Sequence, residues 1–320
     1  MTCPIANASR YLTMADEGTW ATVPGSPSYW HLPVFRYDVR PQPNLRNAMP
    51  FLGIFDPKHQ RIVSEYVSGN MQAALYGWIP SGQTESLAQK LVDWGFADYS
   101  GACGPSKLAE WTVDGDTDNR RHLGLRVDTA VLKGSDSQQY VDISLSLAGM
   151  KETVPDSKQA IPDDTNKLIE FEYQNVSFYI GADSGSLTNT PIQAFGLQRQ
   201  NHLKPYFMNS NYPTYLCRTG PTALNLSVVP LKLTNTYDGY IRALGETDLY
   251  GRIVLKGLHN GTGTGGTNYT VITIDLPRMA LANKTDSDDD LNGVTFETLN
   301  FNCLKPDSST ARISIAYSEE

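Results

Sequence analysis

An acidic run near the end of the sequence has the spacing of a calcium-binding loop. Five oxygen-bearing residues fall at positions 1, 3, 5, 7 and 12 of that template, namely Asp286, Asp288, Asp290, Asn292 and Glu297. Two features disagree with such a site. Position 6, where the sharp turn needs glycine, is Leu291, and the flanking sequence predicts strands where the template has helices. We interpret the run as a solvated acidic turn and keep the calcium loop as the alternative.

No other group of residues has the spacing of a catalytic or cofactor site. The 5 histidines form no His-x-x-x-His or His-Glu-x-x-His pattern. The glycine-rich stretch from Gly261 to Gly266 lacks the Lys-Ser/Thr ending of a phosphate loop, so it favours a hairpin tip. Asp128 and Asp142 are imaginable as an acid and a base, but nothing in the sequence places a partner near them, and solvated strand faces are the better interpretation. We therefore predict no enzymatic activity and no cofactor.

The cysteines are widely spaced along the chain. Cys3, Cys103, Cys217 and Cys303 include no Cys-x-x-Cys pair, which argues against zinc. The first residues show no basic start followed by an apolar run, and no window reaches the length of a membrane span. We expect reduced, mostly buried thiols and no membrane span.

The composition favours β-structure and argues against a DNA-gripping protein. Only 19% of residues are charged, and the 17 tyrosines accompany many Ser, Thr, Asn and Gln residues. The formal net charge is −8, whereas affinity for phosphate comes from Lys and Arg. This acidic composition is compatible with a protein surface to which DNA does not adhere.

Two short segments predict helices in a chain that otherwise reads as strands and turns. Thr84–Gly95 has a candidate N-cap in Thr84, an apolar face of Leu87, Leu91 and Trp94, and Gly95 where a C-terminal cap is expected. Thr236–Gly245 has the same outline. If both are copies of one element, the chain is a tandem duplication.

The order of the remaining elements supports that duplication. Pro33–Arg40 matches Pro191–Gln198 as a strand, and Leu125–Asp128 matches Ile272–Asp275 in a closing hairpin. Long, basic, irregular segments follow the first pair, from Pro41 to about Arg61 and from Gln200 to about Thr222. We predict one domain over residues 1–155, a polar linker over residues 156–167, and a second domain over residues 168–320.

The duplicated unit resembles the tail tube (major tail) proteins of long-tailed, siphovirus-type bacteriophages. The segment Thr270–Leu281, followed by the acidic turn and by Val294–Phe301, is the part most similar to that family. The resemblance implies a mainly β fold, with two tandem β-sandwich or half-barrel domains that each carry one short packed helix. It also implies rings whose inner barrel is the tube lumen. For a duplicated chain these are trimers with pseudo-sixfold symmetry, which stack into the tube through which the genome is ejected.

The same resemblance implies partners and a location. The partners are further copies of the chain, the tape-measure protein in the lumen, and the tail terminator and distal tail proteins at the ends. DNA passes through without specific binding. The protein is expected in the virion tail, after assembly in the cytoplasm of the bacterial host.

Three sets of residues are candidates for roles in such a tube. Basic and aromatic residues of the long segments are expected to contact the next ring: Arg40, Arg46, Phe51, Phe55, Lys58, Arg61, Arg199, Lys204 and Arg218. Their expected partners are acidic residues in turns: Asp114, Asp116, Asp118, Asp286, Asp288, Asp289 and Asp290. Acidic strand positions are candidates to face the lumen and repel phosphate: Asp128, Asp142, Asp275 and Glu297.

Two alternatives stay open. One is another tail component of the same fold, such as a distal tail or baseplate ring. The other is a β-sandwich carbohydrate-binding module, which is suggested by the five tryptophans Trp20, Trp30, Trp78, Trp94 and Trp111.

Overall fold

The fold is seen in a computed structural model of the 320-residue chain. It describes residues 10–48, 59–79, 83–99, 103–113, 119–155, 170–230, 248–259, 268–286, 297–307 and 309–319. Four predicted segments lie outside these residues: the linker 156–167, the helix Thr236–Gly245, the acidic tip Asp114–Asp118 and the glycine-rich tip Gly261–Gly266.

The described residues are mainly β-strand, which confirms the predicted fold class. The first half has β1 (Arg10–Asp16), β2 (Trp30–Leu32), β3 (Arg36–Tyr37), β4 (Arg40–Ala48), β5 (His59–Ala74), helix α1 (Leu87–Phe96), β6 (Lys107–Val113), β7 (Arg120–Ser135), β8 (Val141–Gly149) and β9 (Lys151–Thr153). The second half has β10 (Val176–Gly181), β11 (Thr188–Asn189), β12 (Ile192–Gln200), β13 (Leu203–Tyr206), β14 (Tyr215–Arg218), β15 (Ala223–Pro230), β16 (Leu249–His259), β17 (Asn268–Asp286), β18 (Glu297–Cys303) and β19 (Ser314–Glu319).

The two halves have the same antiparallel strand order. In the first half, one sheet runs β2–β1–β6–β7–β9 and a second runs β4–β5–β8–β7. In the second half, the corresponding orders are β11–β10–β16–β17–β19 and β12–β15–β18–β17. The long strands β7 and β17 belong to both sheets of their half, and β7 also pairs with β12. That last pairing joins the halves into one continuous sheet.

The inner faces of the sheets enclose one hydrophobic core that contains residues of both halves. Met14 and Met71 come from the two sheets of the first half, and Phe195, Ile253 and Phe301 come from the second. Alternating residues of each strand point to opposite faces, so the strands that bury these side chains present a second face outward.

Helix α1 covers part of this core, as the sequence predicts, but its ends differ from the prediction. Leu87, Leu91 and Trp94 are buried. The N-cap is Ser86 rather than Thr84, because Ser86 and Gln89 form a reciprocal capping box. Gly95 lies inside the helix. A Cβ atom there would be 3.1 Å from the Cβ of Ala130, so glycine allows the helix to approach β7 closely.

The two long segments predicted to be irregular contain β-hairpins instead. In the first half β4 pairs with β5, and in the second half β13 pairs with β14. The prolines of β4 are tolerated because β4 is an edge strand. Asp38 donates its backbone N–H to Asn70 on β5, so by alternation Pro41 and Pro43 direct their nitrogens to the open edge.

Candidate assembly surfaces

The outward face of the joined sheet is polar and almost uncharged. Direct register partners lie on the same face of a sheet, and one row of partners crosses six strands. That row is Gln72, Ser144, Val131, Gln198, Asn225 and Asn302. A neighbouring row is Asn70, Ser146, Thr129 and Gln200. We call this surface the polar face.

Few charges lie on the polar face, and most of them are paired. The Lys133 ammonium lies 3.5 Å from the carboxylate of Asp142. Arg36 forms an ion pair with Asp38 at 2.5 Å. Arg40 is exposed on β4. The face therefore offers hydroxyl and amide groups, with little fixed charge, over the sheets of both halves.

The pairing of β7 with β12, which we call the internal seam, holds the two halves together. It runs in unbroken register from Thr129 opposite Gln200 to Ser135 opposite Ala194. Leu132 and Leu197 meet on its inner face, where both are fully buried.

A buried arginine reinforces the internal seam. Arg199 on β12 is only 1% exposed. Its guanidinium donates to the backbone oxygens of Phe96 and Ala97 at the end of α1 and to the carboxylate of Asp98 at 3.1 Å. Burial lowers its pKa and the nearby Asp98 carboxylate opposes that shift. The arginine thus joins the helix of the first half to a strand of the second, and it is not free to contact another ring as the sequence predicted.

The hairpin β13–β14 of the second half lies against the first half. Asp128 accepts a hydrogen bond from the backbone N–H of Leu203 at 2.7 Å, and the guanidinium of Arg126 donates to the backbone oxygen of Leu216. Burial lowers the pKa of Arg126, whose guanidinium lies 5.2 Å from the centre of the Trp20 ring. These contacts fix the base of the hairpin.

A disulfide bond between Cys103 and Cys217 makes the same connection covalently. The prediction of reduced thiols is wrong for these two residues. They are 114 residues apart, and only the packing of the second hairpin on the first half brings them together. Cys303 is a free, buried thiol, as expected, and burial raises its pKa to about 12. Cys3 lies outside the described residues.

Reducing the disulfide is expected to lower the thermal midpoint of the folded protein. The bridge closes a loop of about a third of the chain, and bridges of this kind typically stabilise a fold by about 2–4 kcal/mol. The measurement is a thermal melt with and without dithiothreitol. The Cys103→Ser/Cys217→Ser variant is the control, because it should melt at the reduced midpoint in both buffers. Identical wild-type midpoints in the two buffers would contradict the prediction.

The strand order β4–β5–β8–β7–β12–β15–β18–β17 ends in two strand edges that have no partner among the described residues. One is the outer edge of β4, which pairs only with β5. The other is the end of β17 from Asn283 to Asp286, which pairs only with β18. These edges lie at opposite ends of that order.

Both hairpins carry exposed apolar side chains. On β4 and β5 these are Leu45, Ile62 and Val63. On and beside β13 and β14 they are Tyr206, Met208, Tyr212 and Tyr215. The tip of the second hairpin touches the first half, where the Glu65 backbone N–H donates to the Asn211 oxygen at 2.8 Å.

The residues predicted to contact the next ring differ in exposure, and several of them lie outside the described residues. Lys204 is exposed on β13, and Arg218 is half-buried on β14. Arg46 and Arg61 lie on β4 and β5, with side chains outside the description. Phe51, Phe55 and Lys58 lie outside the described residues. So do all of the predicted acidic partners except Asp286, which ends β17.

The residues predicted to face a lumen do not share one surface. Asp142 is buried on the polar face, where it pairs with Lys133, and Glu297 is buried on β18. Asp275 forms an ion pair with Arg252 at 2.6 Å. Asp128 interrupts the register of β7 and binds the second hairpin. Sequence reasoning missed the polar face, although the alternation in Ser144-Leu-Ser and Asn225-Leu-Ser signals it.

The calcium template lies only partly within the described residues, whereas all five tryptophans are described. Asp286 and Glu297 are register partners at the base of a strand hairpin, and the rest of the calcium template lies outside the description. No group of three His, Cys, Asp or Glu residues in the described part of the chain could hold a metal ion, and no described helix is long and apolar enough to cross a membrane. Trp30, Trp78 and Trp94 are buried, and Trp20 and Trp111 are half-buried, so none of the five tryptophans is fully exposed.

Two comparisons with known proteins bear on the role of this sheet. A family model described as phage tail tube protein matches residues 7–243. A search of curated proteins found no match. The family is structural and forms tubes in the virion tail by self-association, which argues against catalysis as the role of the polar face. The match spans most of the chain and includes the internal seam, and the chain therefore belongs to the phage tail tube protein family.

Proposed function

We propose that this protein polymerises into stacked trimeric rings that form the tail tube, with each chain occupying two of six equivalent ring positions. The observation that carries the proposal is the repeated strand order with an internal seam between the repeats. It supports a tandem duplication in which each half is one ring position. A head-to-tail contact that repeats around an axis closes into a ring.

We propose that the polar face lines the lumen. Its hydroxyl and amide groups provide no array of cations that would bind the phosphates of passing DNA. The apolar face opposite is occupied by the core and by α1, so it is not available for a channel. In this arrangement the tape-measure protein lies along the polar face before DNA passes through during genome ejection, and the tail terminator and distal tail proteins occupy the tube ends.

Electron microscopy of the purified protein tests the proposal. Negative-stain images at increasing protein concentration are expected to show tubes of uniform diameter and variable length. Discrete rings that never elongate would favour a distal tail or baseplate component instead. A protein that stays monomeric at every concentration, in oxidising buffer that preserves the Cys103–Cys217 bond, would contradict both roles.

We propose that the hairpins contact the neighbouring ring. They carry exposed apolar side chains such as Ile62 and Tyr215, and groups of exposed apolar side chains mark sites of interaction between proteins. Basic residues of the first hairpin segment, Arg46, Lys58 and Arg61, are then candidates to meet acidic turns of the next ring.

Charge reversal in the first hairpin segment is expected to shorten or abolish tubes. The Arg46→Glu/Lys58→Glu variant would place like charges against acidic turns of the next ring. Tube length is measured in micrographs at physiological salt. Arg252→Glu/Arg278→Glu is a control of the same charge change, because Arg252 pairs with Asp275 and Arg278 pairs with Asp248 within the chain. Tubes of unchanged length in the double variant would count against electrostatic stacking.

A further inference from the structure

We propose that β4 of one chain pairs with the end of β17 of the next chain, in the register of the internal seam. The partner is a second copy of this chain, and the inference rests on the proposed ring. The internal seam already shows how the second half binds the first. The same contact, repeated outward, would join the first half of one chain to the second half of another.

The pairing partners within each half establish which residues correspond. In the first half, Ser68 is opposite Ala148, and in the second Asn225 is opposite Asn302. Next to these positions, β7 and β17 each have a register shift against the following strand. The first lies between Val127 and Thr129, and the second lies between Leu281 and Asn283. Thr129 therefore corresponds to Asn283.

The other side of the seam follows in the same way. Arg40 on β4 is opposite Ser68, and Gln198 on β12 is opposite Asn225. Arg40 therefore corresponds to Gln198, and Gln42 corresponds to Gln200.

Transfer of the internal register then specifies the contact between chains. Gln200 is opposite Thr129 and Gln198 is opposite Val131 in the internal seam. Between chains this places Gln42 opposite Asn283 and Arg40 opposite Thr285. Both Gln42 and Asn283 are exposed in the single chain, and both strands lack a partner on that edge among the described residues.

Charge favours this pairing over a random one. Arg40 is exposed on β4, and Arg36 on β3 is paired with Asp38, so Arg40 gives the edge formed by β3 and β4 its net positive charge. In sequence, β17 ends at Asp286 and is followed by Asp288, Asp289 and Asp290, which lie outside the described residues. A basic edge and an acidic strand end are complementary, and two copies of the same edge are not.

The seam between chains is weaker than the internal one. Pro41 occupies the position that corresponds to Arg199, so the buried guanidinium is missing and one backbone donor is lost from the open edge. The Cys103–Cys217 bond also has no counterpart in β4 or β5, because neither strand contains a cysteine.

Site-directed cross-linking tests the register. In a Cys3→Ser background, the Gln42→Cys/Asn283→Cys variant is assembled into tubes, oxidised with copper phenanthroline, and run on a denaturing gel without reductant. The expected result is dimer and trimer bands, with trimer as the largest species, because three chains close a ring.

Two controls make the result specific. Gln42→Cys/Asn300→Cys places the second thiol on β18, one strand farther from the seam, beyond the reach of a disulfide. This variant should stay monomeric on the gel. The single variants Gln42→Cys and Asn283→Cys should not cross-link alone, and their equal mixture should give dimers only.

The outcomes separate this inference from the proposed function. Tubes without a cross-link, or equal cross-linking in the β18 control, would overturn the register and leave the tube intact. A ladder that continues past trimer would overturn closure by three chains. If the wild-type protein forms no tube, the proposed function fails and this seam fails with it.

Discussion

Replacement of Arg199 with methionine is expected to lower the free energy of unfolding by about 3–5 kcal/mol, as for other buried ion pairs that lose one partner. The guanidinium is buried and satisfies two backbone oxygens at the end of α1 as well as the Asp98 carboxylate. Methionine fills much of the volume but donates no hydrogen bond. Four acceptors, including the Asn201 side-chain oxygen 3.1 Å from Nε, would then be left poorly solvated. Because these contacts join the two halves, the loss should weaken their association.

Urea denaturation followed by tryptophan fluorescence measures this effect. Lys204→Met is the matched control, since it removes a cation from an exposed site on β13, the next strand along the chain. It should change the free energy of unfolding by less than about 0.5 kcal/mol. Arg199→Lys should fall between the two, because lysine retains the charge but lacks the forked donors. If Arg199→Met costs no more than Lys204→Met, the buried network contributes little.

Lysines on the polar face are expected to make the tubes retain DNA. Ser146 and Asn300 hold corresponding positions in the two halves, opposite Asn70 and Ser227. The Ser146→Lys/Asn300→Lys variant would add a cation at each ring position. Proteins that contact several phosphates lose about 10³-fold or more in affinity between 50 and 200 mM salt, and DNA bound in such tubes should show this dependence.

Retention of linear and of relaxed circular DNA by purified tubes distinguishes the lumen from the outside. Linear duplexes have ends that can enter a tube, whereas closed circles have none. We expect the lysine tubes to retain linear DNA only, and Ser146→Gln/Asn300→Gln tubes to retain neither. Equal retention of circles would place the polar face on the outside of the tube.

Local sequence signals predicted helix α1 because its determinants lie close together. The spacing of Leu87, Leu91 and Trp94 marks its buried face, whereas the prediction of Thr84 as its N-cap missed the Ser86–Gln89 box at its start. Prolines misled the prediction of the first hairpin. Pro41 and Pro43 suggest an irregular loop until the pairing with β5 shows that their nitrogens point to an open edge.

Strand register was harder to predict than strand order. The match of Pro33–Arg40 with Pro191–Gln198 agrees with the pairings, since Tyr37 and Phe195 occupy corresponding places against β5 and β15. The match of Leu125 with Ile272 does not, because the pairing partners make Met279 the counterpart of Leu125. Alternating apolar residues fit several registers equally well, so only neighbouring strands decide among them.

The features that join the halves were invisible in sequence. Arg199 has the charge of a surface residue, and its partners Phe96 and Asp98 are about a hundred positions away. Cys103 and Cys217 are equally remote from one another. Only the fold brings such residues together.

The internal seam has a consequence for how errors are avoided in assembly. If every chain supplies two ring positions, rings of five or seven positions cannot close, because only even numbers are available. Every second contact around the ring is also intramolecular, so it forms at a local concentration that does not fall when the protein is dilute. Closing a ring would then require encounters among three chains instead of six. A host cell that holds few copies of the protein would still yield complete rings.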